Sequence, residues 1–317
     1  MINRRHLLVG AGLAAGTFAA PSILRAQTRT VKMGALRLVH SMPPYFYEKF
    51  APPGLKIEII VFDSPTDGKN AVVTKSVDVG TFGIAAAILG GAVGEPVVVV
   101  GALSNKGMGV ISKAGSDVKT VKELKGKRVG IWPGSTQEVF IMERLRMEGL
   151  SGKDITAVRV PFGEMPAMLA RGDIDAYVGA EPGPALSITS GVGQLVEYPY
   201  GTAMGGLNMI FGTNEETVTK DPELIRTMLK IHRQAVEFMS ANKAAVVDTT
   251  VQKLGANRAA VEQALGANNV EYVWKLDDKV QGQAKTYAQH MLELKQIRAL
   301  PKFETFLNPK FSNEIAS

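Results

Sequence analysis

Four short stretches of the chain put small or hydrogen-bonding residues where an apolar run stops. "RLVHSMPP" offers His40 and Ser41, and "VGTFG" offers Thr81 and Phe82. "GIWPGSTQE" offers Gly134, Ser135 and Thr136, and "YVGAEPGP" offers Gly179, Glu181 and Pro182. These residue types hold a solute by hydrogen bonding and close backbone approach. In the third stretch a strand ending at Ile131 meets Pro133 and Gly134, and a helix follows at once. Ser135 followed by Glu138 fits a capping box, in which the serine oxygen caps the helix and the glutamate reaches back. Free N–H groups at a helix start also attract anions, by roughly 0.3–1 kcal/mol and up to ~2 kcal/mol when partly buried. Glu138 offsets some of that positive potential. His40 reads either as an ordinary strand-end histidine or as a ligand contact that donates to an oxyanion or stacks on a ring. Phe82 fits the core as well as a site, and Thr81 fits a cap for the helix after it. Glu181 reads as a surface carboxylate at a helix start or as a partner for an amine. "YPYGTAMGGLN" places Tyr200 and Asn208 before a later strand, near the expected hinge.

Catalysis has little to work with. The chain has no cysteine, so thiolate nucleophiles, disulfides and Cys-ligated metal sites are excluded. No GxSxG elbow is present, and no pair of acids stands at glycosidase-like strand ends. His232 and His290 sit in helices without spaced acidic or histidine partners, so no metal is assigned. No cofactor is implied.

The elements that must carry these stretches alternate from Thr30 onward. "TVKMGALRL", "KIEIIVF", "PVVVVGAL", "GMGVISK", "KRVGIW", "ITAVRV", "IDAYVGA" and "GGLNMIFGT" read as strands. Helical segments separate most of them, of which "STQEVFIMERLRMEGL" is the clearest. Such alternation with Val- and Ile-rich strands argues for parallel sheets covered on both faces. From Asp221 onward almost everything reads as helix. "DPELIRTMLKIHRQAVEFMSAN" opens with Asp as N-cap and Pro at the first helical position, and Leu224, Met228, Ile231 and Val236 mark its apolar face. The expected organisation is one lobe from residues 27–105 plus 207–317 and a second from residues 106–206. The helical tail packs on the first lobe.

The 317 residues are enough for two cores, and 45% hydrophobic with 21% charged is ordinary for a globular protein. Of the net charge of +6, Arg4, Arg5 and Arg25 supply three before Gln27, where no acidic residue stands. The rest mixes both signs, without the basic stripe and aromatic platforms of a nucleic-acid binder. Residues 1–26 have a basic start, an uncharged run and Ala26 before a polar stretch, which is an export signal cleaved near Ala26. "NRRHLLV" resembles the twin-arginine motif; a general secretory signal beginning with two arginines is the alternative. Without a cysteine at the cut, no lipid anchor is expected. "GAGLAA" matches the dinucleotide fingerprint but follows no strand and lies inside the signal.

Together, "VDVGTFGIAAAI", "VKELKGKRVGIWPGSTQE", "MPAMLARGDIDAYVGAEP" and the helical tail resemble the solute-binding proteins of ABC importers. The nearest branch is the nitrate/sulfonate/taurine and thiamine-precursor type. The resemblance implies a type II periplasmic-binding-protein fold: two Rossmann-like α/β lobes, a two-crossover hinge and a helical C-terminal tail. It implies a periplasmic monomer that captures a small-molecule ligand and delivers it to an inner-membrane permease with its ATPase. The departure is "AEPGPA", which lacks the Trp that many relatives place after the proline. On this reading His40, Ser41, Thr81 and Phe82 face Gly134, Ser135, Thr136, Glu181 and Pro182 across the cleft, with Asn208 at the hinge. The expected solute is sulfonate- or taurine-like; an aminopyrimidine and aromatic acids stay open, with nitrate and bicarbonate disfavoured by a cleft carboxylate. A sensory receptor serving a membrane kinase, or a menaquinone- or thiamine-pathway-like enzyme on the same fold, are the alternatives. The desulfinases of this scaffold rely on a cysteine and the fungal pyrimidine synthases on a Cys-rich motif.

Overall fold

The computed structural model describes residues 28–266 and 269–316; the export signal expected over residues 1–26 lies outside them. The chain first lays down β1 (Arg29–Leu36), β2 (Leu55–Phe62), helix α1 (Pro65–Val73), β3 (Val79–Gly83), α2 (Ile84–Ala92) and β4 (Val97–Lys106). It crosses at Gly107 into β5 (Met108–Lys113), β6 (Arg128–Ile131), α3 (Thr136–Met147), β7 (Thr156–Arg159), α4 (Met165–Arg171), β8 (Ala176–Ala180), α5 (Gly183–Thr189) and β9 (Gly193–Glu197). Residues 198–206 lead back to β10 (Leu207–Asn214). The tail holds α6 (Glu215–Lys220), α7 (Pro222–Ala241), α8 (Lys243–Leu254), α9 (Arg258–Gly266), β11 (Val270–Tyr272), α10 (Asp278–Glu293), α11 (Phe303–Phe306) and α12 (Lys310–Glu314).

Two sheets result, in the orders β11-β4-β10-β3-β1-β2 and β7-β6-β8-β5-β9. They are mixed, where the sequence pattern argues for parallel sheets. β10 runs antiparallel to both of its neighbours, and so does β5. The crossings explain this. A chain that leaves one sheet along β4 and returns beside it must re-enter in the opposite direction. The second sheet receives β5 under the same constraint. β11 is likewise antiparallel to β4, while β1·β2, β1·β3, β6·β7 and β6·β8 are parallel, so the carboxyl ends of these parallel strands share one edge of each sheet.

Local signals set several helix starts. Ser64 caps α1 by accepting from the Asp67 N–H at 3.1 Å, with Pro65 at the first helical position. Asp221 caps α7 through the Leu224 N–H at 3.2 Å, and Leu224, Met228, Ile231 and Val236 are all buried. His232, on the same helix, is buried between the Tyr47 hydroxyl (3.0 Å) and the Ala102 carbonyl (2.8 Å). Desolvation lowers its pKa to about 4, so it serves the core as a neutral tie. The tail covers the first sheet, as expected, but not only that sheet. α9 packs on α5 of the second lobe, where Ala185, Ala260 and Ala264 form a small core of their own. α10 meets α3, with Tyr287 edge-on to Phe140 at 5.3 Å between ring centres. No helix among the described residues is long and apolar enough to cross a membrane.

Candidate functional site

Ligands of open α/β sheets sit beyond the carboxyl ends of parallel strands. Here the ends of β1, β2 and β3 face those of β6, β7 and β8. The cleft between them is lined by Leu36, Leu38, His40, Pro65, Gly83, Thr136, Gln137, Phe162, Asn208 and Met209, closed together with no space for a water molecule. A larger hollow of about 570 Å³ runs along β11 on the first lobe. It is an open groove on one lobe, whereas the cleft gathers strand ends from both, so the cleft is the candidate site.

His40 lies in the one-turn helix Val39–Ser41, 1% exposed, with its Nδ1 unpartnered. The ring rests on the crossover glycine: a Cβ at Gly107 would stand 2.6 Å from Nδ1, and Gly107 has φ +83°. Burial lowers the His40 pKa to about 3, so the ring is neutral and offers one donor and one acceptor. Beneath it, the Ser41 hydroxyl accepts from the Leu36 N–H at 3.0 Å and lies 3.2 Å from the Thr81 hydroxyl, which donates to the Gly34 carbonyl at 3.3 Å. Ser41 and Thr81 therefore brace the β1 end. Thr81 does not cap α2, whose N-cap is Gly83. Phe82 points into the first-lobe core, and its ring fills the space over Gly80 and Gly212.

On the second lobe, Ser135 accepts from the Glu138 N–H at 3.2 Å, and the Glu138 carboxylate accepts from the Gly134 N–H at 2.7 Å. The glutamate thus reaches one residue further back than in a capping box. Burial raises its pKa, and the Gly134 N–H pulls the other way. Gly134 has φ +77° and faces the first lobe, where a Cβ would lie 3.4 Å from Leu89 and 3.6 Å from Thr66. The Thr136 hydroxyl crosses the cleft to donate to the Asn208 carbonyl at 3.3 Å. The Asn208 amide donates to the Lys106 carbonyl and so ties the two crossovers together.

Glu181 lies beside the cleft rather than in its lining. Its carboxylate accepts from the Ala185 N–H (3.1 Å) and from the Asn269 amide (2.8 Å). Desolvation raises its pKa to about 7 in spite of both donors. Pro182 lines an outer cavity of about 110 Å³ with Arg37, Leu38, Phe162 and Pro166. Arg37 pairs there with Asp63 at 3.2 Å, both well exposed. Trp132 flanks the cleft, its ring 6.4 Å from Phe162 and 5.0 Å from the Arg159 guanidinium.

Pro65, Gln137 and Phe162 were not among the sequence candidates. Pro65 and Phe162 follow β2 and β7, and the strand-end rule that picked out the other four stretches reaches them too. Asn269 had no signal, because it meets Glu181 only through tertiary packing. The lining thus combines a neutral imidazole, two carboxamides, a threonine and a helix start with an apolar wall. It contains no charged side chain.

Two α/β lobes joined by paired crossings, with a cleft between facing strand ends, define the type II periplasmic-binding-protein fold. The alkanesulfonate-binding protein SsuA from Xanthomonas axonopodis pv. citri, solved bound to MOPS, superposes with a TM-score of 0.76 at 22% identity, over 86% of this chain and 96% of that one. Residues 47–246 match the model of the NMT1/THI5 like family, and the chain belongs to that family. A 4-amino-5-hydroxymethyl-2-methylpyrimidine phosphate synthase of Uromyces fabae is 31% identical over 161 residues, 48% of this chain and 47% of the relative. A putative aliphatic sulfonates-binding protein of Escherichia coli (strain K12) is 27% identical over 186 residues, 57% of this chain and 58% of the relative. The chain thus spans about half the length of these curated relatives.

Proposed function

We propose that this chain is an exported solute receptor that closes its two lobes on a small polar organic molecule and hands it to an ABC importer in the inner membrane. The observation that carries this reading is the cleft itself. Facing strand ends of two lobes meet on a site equipped to hydrogen-bond, between lobes joined by only two adjacent chain crossings. Such a clamp needs no covalent chemistry, and micromolar affinity requires only about −8 kcal/mol.

A sulfonate with an apolar body is the solute class that fits best. Its oxygens take the N–H groups at the α3 start, and its body lies against Leu38, Phe162 and Met209. The relative named for aliphatic sulfonates supports this choice. A taurine-like amine finds no acidic partner in the lining, because the Glu181 carboxylate is engaged by Ala185 and Asn269. A second reading, an uncharged aminopyrimidine, draws on the synthase relative and on the absence of any charged group from the lining. A thermal-shift panel of alkanesulfonates, taurine, nitrate, aminopyrimidines and aromatic acids tests both. A solute at a hundred times its Kd stabilises by about 2.7 kcal/mol. A raised melting temperature with an alkanesulfonate alone supports the first reading and a rise with an aminopyrimidine alone the second; no rise with any member sinks the receptor reading for this panel.

A further inference from the structure

Glu181 stands where every part of the joint meets. Its carboxylate holds Ala185 on its own lobe and Asn269 on the tail. Its N–H donates to the Gly107 carbonyl on the first crossing (3.0 Å), and its carbonyl accepts from the Val39 N–H on the first lobe (3.1 Å). Asn269 passes the connection on. Its carbonyl accepts from the Gly107 N–H, and its side-chain oxygen lies 2.6 Å from the Tyr200 hydroxyl, which also accepts from the Met108 N–H at 2.7 Å. The ties to Asn269 and Val39 are the ones that join Glu181 to the tail and to the first lobe, so parting the lobes would loosen them and admit water to the carboxyl.

We propose that closure of the two lobes takes up one proton, carried by the Glu181 carboxyl, and that opening releases it. The inference rests on the clamp reading above. A carboxylate walled in by protein loses hydration that two N–H donors only partly replace, so its charge opposes closure. Burial pushes its pKa to about 7, against 4.5 for the free group. Between these values the closed form holds more protons than the open one. Closure is therefore favoured on the acid side of the window and weakened as pH rises through it.

The neighbouring groups leave this window to Glu181. Tyr177 on β8 and Tyr198 and Tyr200 on the second crossing all have raised pKa values and stay neutral. Burial keeps His40 neutral too, by lowering its pKa. The first crossing brings the cation Lys106, and α9 brings Arg258 and Glu262, exposed and paired at 3.5 Å. α5 carries no titratable side chain. The other inter-lobe candidate is His290 on α10, 3.4 Å from Glu143 on α3, with Glu293, Arg144 and Arg146 close by.

Small-angle X-ray scattering of the solute-free protein tests the proposal without knowledge of the solute. A compact chain of this length has a radius of gyration of about 20 Å. It should expand as pH rises from about 4.5 to 7, as the closed-to-open ratio falls by up to about two orders of magnitude. Glu181→Gln should abolish that pH dependence. Asn269→Ala keeps the carboxyl but removes one tie, and should move the expansion to lower pH; it serves if the glutamine variant does not fold. A wild-type radius that ignores pH overturns the proposal. So does an expansion that persists unchanged in Glu181→Gln and vanishes in His290→Gln, which assigns the proton to the α3–α10 contact. Neither result touches the thermal-shift panel, and a blank panel leaves the scattering result standing.

Discussion

At the scale of single residues, the cleft turns on small groups in tight places. Gly134 combines φ +77° with the first lobe at van der Waals distance. Gly134→Val forces a β-branched residue into left-handed backbone, which costs of order 1–3 kcal/mol, and wedges the lobes apart. We expect solute affinity to fall at least tenfold in calorimetry, and wild-type affinity in this variant would remove Gly134 from the site. Glu138 weakens the anion-binding potential of the α3 start. Glu138→Gln should tighten an alkanesulfonate by about 0.3–1 kcal/mol, two- to fivefold in Kd, and leave an uncharged solute unaffected. Glu181→Gln has a stability signature as well. The native carboxyl sits at about 7 and the free group at 4.5, so folding holds extra protons between these values. The Glu181 contribution to stability then falls from about pH 4.5 to pH 7, by up to about 3 kcal/mol, and stays constant above. The glutamine variant should lose that slope in denaturant titrations across the same range.

At the scale of elements, the parts written in local chemistry were the parts legible in the sequence. Ser135 and Asp221 announce helix starts because a cap needs only residues three apart. The strand ends bearing His40 and Thr136 stood out because small or polar residues follow buried runs. What escaped depends on distance. Glu181 was expected to offer its charge to a ligand, but Asn269, 88 residues further on, takes it up. β11 hid in a helix-rich tail, since three residues carry too little periodicity to see, and β9 was also missed. The antiparallel placement of β5 and β10 follows from the return path rather than from their Val- and Met-bearing sequences, which read like those of parallel strands. The α3–α10 contact gives a test at this scale. Phe140→Ala empties a fully buried aromatic site between lobe and tail, shared with Tyr200 and Tyr287. A loss of about 3–5 kcal/mol is expected in chemical denaturation. A loss under ~1 kcal/mol would show that the contact does not hold the two together.

At the scale of the whole molecule, the export reading is open to a direct trial. Replacing Arg4 and Arg5 together by Lys should stop accumulation outside the cytoplasm if the twin-arginine route is used, and an unchanged yield would leave the general route. The paired crossings have a consequence for how the chain is made. The second lobe is continuous along the chain, so a growing polypeptide completes it early. The first lobe stays unfinished until β10 emerges, because that strand fills the place between β3 and β4. Until then two strand edges from the middle of a sheet stand bare, an invitation to pair with other chains. A product cut off before Leu207 should therefore fold its younger half and precipitate through its older one.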